Sequence, residues 1–334
     1  MRYIVIFCLL VIFTSTNSNA GNLYEKSVFE RTDRDYLLYL PNVYASLGKR
    51  EKLPLIIALH GGGWNNQTHM EMTGLNETAE KSGFAVAYPN GMGNIPSLRN
   101  WSSTQCCGAN DGFANPDIGF IKKLISQVTK EYKIDPKRVF VSGHSNGGGR
   151  LAYELGCFLP TKIKAVAVNA SPVADWLILN KCKNPKVPIL HTHGAKDQCA
   201  PFFGLGMCGT CFASMFSFNN LQIAPALQNN ICFNVPSAIE TIVRNYHCKT
   251  SKKIDLAKNV QCNFISECDN NSTVGLCAFT NAGHTWAGGK YDGGEVCRQD
   301  KESSLCKKYF EILGKINKDV SLNDIIWGFF SGIR

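Results

Sequence analysis

In Val139-Phe-Val-Ser-Gly-His-Ser-Asn-Gly-Gly-Gly149 an apolar, β-branched run gives way within a few residues to a glycine-rich turn. The run at 138–142 has the composition of a strand buried on both faces, and Gly147 to Leu155 that of the helix after it. Between them lies Gly143-His-Ser145-Asn-Gly147, a G-x-S-x-G pattern at a strand-to-helix junction. Such a turn is tight and strained. It lifts the serine hydroxyl above the end of the sheet, and the glycines let strand and helix backbones approach closely. The helix N-terminus beneath it favours negative charge developing there. Ser145 is therefore a candidate nucleophile. The competing reading is a glycine turn whose serine only caps the helix.

On either side of this junction strand-like and helix-like runs alternate. Strands are expected at 35–40, 53–59, 84–88, 163–168, 187–191 and 274–279. Helices are expected from 117, with Asp117 as N-cap, and over 236–246 and 323–330. This alternation predicts an α/β fold: a mostly parallel central sheet with helices on both faces. No fixed-period repeat and no Pro/Gly/Ser linker interrupts it, so a single domain is expected over 21–334. The stretch at about 199–235 holds four cysteines and few strand or helix signals, and reads as an insertion.

A serine hydroxyl is a weak nucleophile without a general base and a group that orients the base. On a strand–turn–helix of this kind the chain order is serine, acid, histidine. His284, in Asn281-Ala-Gly-His284-Thr-Trp286 after the strand at 274–279, fits the base, on a loop expected to be mobile enough to reach the serine. Asp197, in His193-Gly-Ala-Lys-Asp197 after the strand at 187–191, fits the acid. Both follow C-terminal strand ends, where ligands sit in open α/β sheets. His191 and His193 are rivals for the base, and Asp175 and Asp292 for the acid. An oxyanion hole needs two backbone N–H groups. Asn146, after the nucleophile, is one candidate. The second falls in His60-Gly61-Gly62-Gly63 after the strand at 53–59, with Gly62 the choice and Gly61 its rival. Nothing in this chemistry calls for a metal or cofactor.

Composition sets the surroundings. A chain of 334 residues that is 44% hydrophobic and 18% charged can bury a large core. The net charge of +9 is scattered rather than gathered in an arm, which argues against nucleic acid. Residues 1–20 read as a signal peptide: Arg2, an apolar run from Ile4 to Phe13, then a small polar exit to Ala20. The run is too short to span a bilayer. Fourteen of the 15 cysteines lie beyond it, an even number that suggests disulfides and a secreted protein, extracellular or periplasmic. Cys208-Gly-Thr-Cys211 has zinc-knuckle spacing, but no second CxxC accompanies it. Cys157 is expected to pair with Cys106 or Cys107, Cys297 with Cys306, and Cys199, Cys208, Cys211 and Cys232 among themselves. Trp64, Trp101 and Trp286 stand near the proposed site and are candidate substrate platforms.

Further motifs carry a resemblance. Leu59-His-Gly61, Trp101 with Cys106-Cys107-Gly, Asp117-Ile-Gly-Phe120, Gly143-His-Ser-Asn-Gly-Gly148, Leu155-Gly-Cys157, Pro188-Ile-Leu-His-Thr-His-Gly194 with Asp197, Tyr246-His-Cys248, Gly283-His-Thr-Trp286 and Ile326-Trp-Gly-Phe-Phe330 run in that order. Together they resemble the secreted esterases of the polyhydroxybutyrate depolymerase and feruloyl/acetylxylan esterase group. The resemblance implies the α/β-hydrolase fold, Ser145, Asp197 and His284 as a triad, and hydroxybutyrate, feruloyl or acetyl esters as substrates. A non-catalytic binding protein on the same fold and a secreted serine peptidase stay open beside it. The stretch 199–235 is longer and richer in cysteine than the group's pattern, which leaves the substrate open.

Overall fold

The computed structural model describes residues 21–28, 34–102, 115–173, 178, 182, 186–204, 211, 232–291, 296–297 and 300–333. The expected signal peptide, Cys106, Cys107, Cys208, Asp175, Asp292 and most of the expected insertion lie outside them.

A ten-stranded sheet organises the chain. Its strands are β1 (Asn22–Val28), β2 (Arg34–Leu40), β3 (Leu53–Leu59), β4 (Ala85–Pro89), β7 (Ile134–His144), β8 (Ala165–Asn169), β9 (Ile189–Gly194), β10 (Thr250–Ala257), β11 (Val260–Ser266) and β12 (Val274–Phe279). A small hairpin, β5 (Met92–Ile95) and β6 (Leu98–Asn100), stands apart. The sheet order is β1-β2-β4-β3-β7-β8-β9-β12-β11-β10. The six central strands from β4 to β12 are parallel, and both flanks are antiparallel.

The cores of the central strands are apolar because both sheet faces are covered, most continuously in β3. In β3, Leu55, Ile57 and Leu59 point to one core cluster, while Ile56 and Ala58 point to the other. The first cluster is roofed by α4 (Pro116–Glu131), α5 (Arg150–Phe158) and α6 (Val235–Asn245), through Phe120, Leu124, Leu151 and Ile239. The second lies under α2 (Asn66–Thr73), α3 (Leu75–Ser82) and α8 (Leu322–Ser331), through Met72, Leu75, Ile326 and Phe330. α1 (Val43–Ser46) follows β2, and α7 (Ser304–Leu313) precedes α8. Among the described residues no helix is long and apolar enough to cross a membrane.

Some expectations shift. The cap of α4 is Asn115, whose side chain accepts from the Asp117 N–H, and not Asp117 itself. Pro116 fixes the first helical position, so the cap must precede it. The Asp117 carboxylate instead pairs with Arg34 in the core and accepts from the Ser102 N–H at 2.6 Å. The helix after the serine starts at Arg150 rather than Gly147, because Ser145–Gly149 forms a π-helical turn first. Disulfides join Cys157–Cys182, Cys199–Cys211, Cys248–Cys268, Cys262–Cys277 and Cys297–Cys306 among the described residues. The Cys297–Cys306 pairing is the expected one. Cys157 is not paired with Cys106 or Cys107: Cys182 lies with it in the first core cluster, within bonding distance at the end of α5. Cys211 is tied to Cys199, so it has no thiolate to offer zinc.

Candidate active site

The sheet order puts a topological switch point where the site residues meet. From β3 the chain goes to β4 on one side, then crosses to β7 on the other. The connections leaving the C-terminal ends of β3 and β7 therefore run to opposite sides, and such a switch point is where open α/β sheets hold ligands. Register levels the two ends, with Leu59 beside Gly143. Two residues on from each pairing stand Gly61 and Ser145.

Ser145 has a φ of 61°, in the left-handed region that side chains rarely adopt. The turn holds it there through backbone contact that only glycine permits. A Cβ on Gly143 would lie 2.1 Å from the Gly148 carbonyl oxygen, and one on Gly148 would lie 2.4 Å from that of Leu59. Gly148→Ala is expected to destabilise the fold by about 3 kcal/mol, since strand-end backbone cannot yield. Gly119→Ala in α4, where a Cβ meets nothing within 4 Å, is expected to stabilise it by up to about 1 kcal/mol. Urea unfolding of both variants measures the contrast.

His284 Nε2 lies 2.8 Å from Ser145 Oγ, and its Nδ1 lies 2.8 Å from Asp197 Oδ2. Ser145 is half-buried, while His284 and Asp197 are buried. The loop carrying His284 is tied down rather than free: its N–H donates to the Leu313 carbonyl at 2.7 Å, and that of Gly283 to Lys315 at 2.9 Å. Asp197 lies in the turn after β9, where its Oδ1 accepts from the N–H groups of Cys199 at 2.7 Å and Ala200 at 2.8 Å. Burial alone would push its carboxyl up. The His284 charge and the hydrogen bonds from His193 and His284 outweigh burial and hold it well below the usual carboxylate range. Cys199 Sγ gathers with Asp197 and His284, but its disulfide removes it as a metal ligand.

Beneath this row lies His144, fully buried, its ring stacked on Trp64 at 5.2 Å and 5.1 Å from that of His284. Desolvation holds it well below the usual histidine range, so a neutral ring underlies the site. Asn169, at the end of β8, donates to His144 Nδ1 at 2.8 Å and to the Thr285 carbonyl at 3.0 Å. It thereby links the serine's strand to the histidine's loop. Sequence reading missed it; its only signal was its place at the end of the strand next to the G-x-S-x-G turn.

The rivals for the base, His191 and His193, are both in β9 and fully buried, on the far side of Asp197 from the serine. The glycine loop lies against the turn: a Cβ on Gly147 would be 3.2 Å from the Gly62 nitrogen, and one on Gly61 3.3 Å from Ser145 Cβ. Gly62 is exposed, and its N–H has no hydrogen-bond partner among the described residues. The Gly63 N–H, by contrast, donates to the Arg99 carbonyl and to Asn100 Oδ1, each at 2.9 Å. Asn146 follows Ser145 in the π-helical turn.

The tryptophans divide. Trp101 and Trp286 are each 1% exposed, so neither offers a ring face to a substrate. Trp101 donates to the His60 carbonyl at 2.9 Å and Trp286 to Asn323 Oδ1 at 2.9 Å, which anchors both in the core. Their expected role as platforms is corrected. Trp64 is half-buried beside the serine, stacked on His144.

Residues 34–175 match the family model described as esterase PHB depolymerase. A bifunctional acetylxylan esterase/xylanase of Neocallimastix patriciarum is 31% identical over 157 residues, 47% of this chain and 21% of that one. Feruloyl esterase B of Piromyces equi is 26% identical over 244 residues, 71% of this chain and 40% of that one. The chain thus spans less than half the length of these two curated relatives. Among solved structures, an acetyl xylan esterase from Aspergillus awamori superposes with a TM-score of 0.54 at 14% identity, covering 86% of this chain and 100% of that one. The resemblance read from the motifs holds, and the fold is the α/β-hydrolase fold.

Proposed function

We propose that the protein is a secreted serine carboxylic-ester hydrolase, built as one catalytic domain with a cysteine-rich insertion. The observation that carries this reading is the Ser145–His284–Asp197 chain, with both links at 2.8 Å. Ser145 Oγ attacks the ester carbonyl while His284 Nε2 takes its proton. Asp197 holds the His284 Nδ1–H and stabilises the imidazolium that forms. The carbonyl oxygen becomes an oxyanion, held by the N–H groups of Gly62 and Asn146. His284 returns the proton to the departing alcohol, and water, activated by the same ring, then cleaves the acyl-enzyme.

The relatives' names support feruloyl and acetyl esters as substrates, and the family description adds hydroxybutyrate esters. Trp64, half-buried near Ser145, supports a role in lining the acyl group. Disulfides in five places support an oxidising compartment. The test has two parts. A fluorophosphonate is expected to label the protein once per chain, at Ser145. A panel of soluble feruloyl, acetyl and hydroxybutyryl esters is then expected to show turnover of at least one. Peptide amides cleaved faster than all of them, or no labelling, would overturn the reading.

A further inference from the structure

Asp197 Oδ2 faces two imidazoles. One is His284. The other is His193, whose Nε2 lies 3.1 Å from Asp197 Oδ2 and 2.8 Å from the Ala200 carbonyl oxygen. Behind it the contacts continue. His193 Nδ1 lies 3.0 Å from His191 Nε2, and His191 Nδ1 lies 2.5 Å from the Tyr153 hydroxyl. All three side chains are buried, and the rings of His191 and His193 stack at 5.2 Å. Their spacing follows from β9, where residues two apart share a face, and Tyr153 reaches them from α5. The described mechanism uses none of the three.

We propose that Tyr153, His191 and His193 form a one-way hydrogen-bond chain that ends on Asp197, with His193 as a positioning residue for the acid. Proton placement follows from the acceptors. The two oxygens facing His193 Nε2 only accept here, so that nitrogen carries the hydrogen. With one proton on the ring, Nδ1 accepts, and His191 must donate from Nε2. His191 Nδ1 then accepts from the Tyr153 hydroxyl. Each donor is on the side toward Asp197, and the last, the His193 Nε2–H, is shared between the Ala200 carbonyl at 2.8 Å and Asp197 Oδ2 at 3.1 Å.

The consequence is geometric. Asp197 Oδ1 is fixed by two backbone N–H groups, and Oδ2 by two rings. Three hydrogen bonds, together with the His193 Nε2–H shared between the Ala200 carbonyl and Oδ2, restrain the carboxylate, so the lone pair facing His284 Nδ1 keeps its direction while charge comes and goes on that ring. His193 sets that direction from a strand of the central sheet, the most rigid support the fold offers. The inference rests on the esterase reading for its kinetic part only.

Two measurements test it. Nitrogen spectra of the resting protein carrying ¹⁵N-histidine report which ring nitrogen bears hydrogen. Hydrogen on Nε2 alone is expected for His191 and His193, and on Nδ1 for His284. A His193 ring with hydrogen on Nδ1, as the other tautomer or as imidazolium, overturns the proposal, whether or not any variant folds. The second measurement compares His193→Gln with His193→Asn. The Gln amide nitrogen reaches about as far as Nε2, while that of Asn stops near Nδ1. His193→Gln is expected to keep kcat within about threefold. His193→Asn is expected to lose roughly 10–100-fold in kcat, with KM within about twofold, as for a misaligned catalytic group. Equal kcat for the two variants overturns the proposal, since a packing role does not distinguish them in this way. Failure of the wild type to react with a fluorophosphonate, with the tautomers as expected, sinks the esterase reading instead.

Discussion

Ser145→Ala is expected to fold as the parent does and to lose roughly 10⁴-fold or more of its ester turnover. The change removes one oxygen, which meets His284 Nε2 and contributes nothing to the core. Alanine tolerates the positive φ of this position no worse than serine, because both carry a Cβ and the surrounding glycines set the strain. Thermal unfolding should therefore coincide with that of the wild type while hydrolysis of a soluble ester collapses. Residual activity above a few per cent of the parent rate means that the nucleophile is elsewhere.

Asp197→Asn is expected to be nearly as severe, also about 10⁴-fold in kcat, with the backbone unchanged. The reason lies in who donates to whom. Three hydrogen bonds and the nearby His193 Nε2–H converge on this carboxylate. An amide offers one oxygen and one NH₂. If the oxygen meets the N–H groups of Cys199 and Ala200, the NH₂ faces His284 and His193. His284 then accepts at Nδ1 and carries its hydrogen on Nε2, aimed at the serine whose proton it must take. If the amide turns the other way, the NH₂ meets two backbone N–H groups and the turn after β9 opens. Steady-state kinetics beside circular dichroism separates the two: intact structure with lost kcat indicates the reversed histidine, and a loosened fold indicates the second. Turnover within tenfold of the parent contradicts the role given to Asp197.

Much of this arrangement could be read from the chain, for reasons that differ by element. β3 and β12 were legible to the residue because strands covered on both faces are continuously apolar, as in Leu53-Pro-Leu-Ile-Ile-Ala-Leu59. β1 and β10 were missed because edge strands face water: Lys252 and Lys253 look like surface charge, and they guard an unpaired edge. α2 escaped because Asn66-Gln-Thr-His-Met-Glu-Met-Thr73 has almost no apolar period, and its helix is held by the Asn65 cap and the sheet beneath. The site residues followed from the order serine, acid, histidine, together with their places past strand ends. That logic gives position along the chain and says nothing of direction. Trp101 and Trp286 stand close to the site in sequence, yet their rings turn inward. His193 was weighed only as a rival base, since its proximity to Asp197 depends on β9 running three residues beyond the expected end at 191.

The distances along the chain carry a consequence for the protein's biogenesis. Ser145 and His284 are 139 residues apart in sequence, and Asp197 and His284 are 87 apart. During synthesis β3, β4 and β7 emerge long before β12, which brings the base. Contacts so distant form late, because loop-closure entropy delays them until the strands between have docked. A chain in which β3 and β7 have paired but β12 has not docked therefore has Ser145 without His284 beside it. On the proposed mechanism, hydrolytic competence waits until β12 has docked beside β9 and the loop after it is tied to Leu313 and Lys315, so the unfinished chain is expected to be inert.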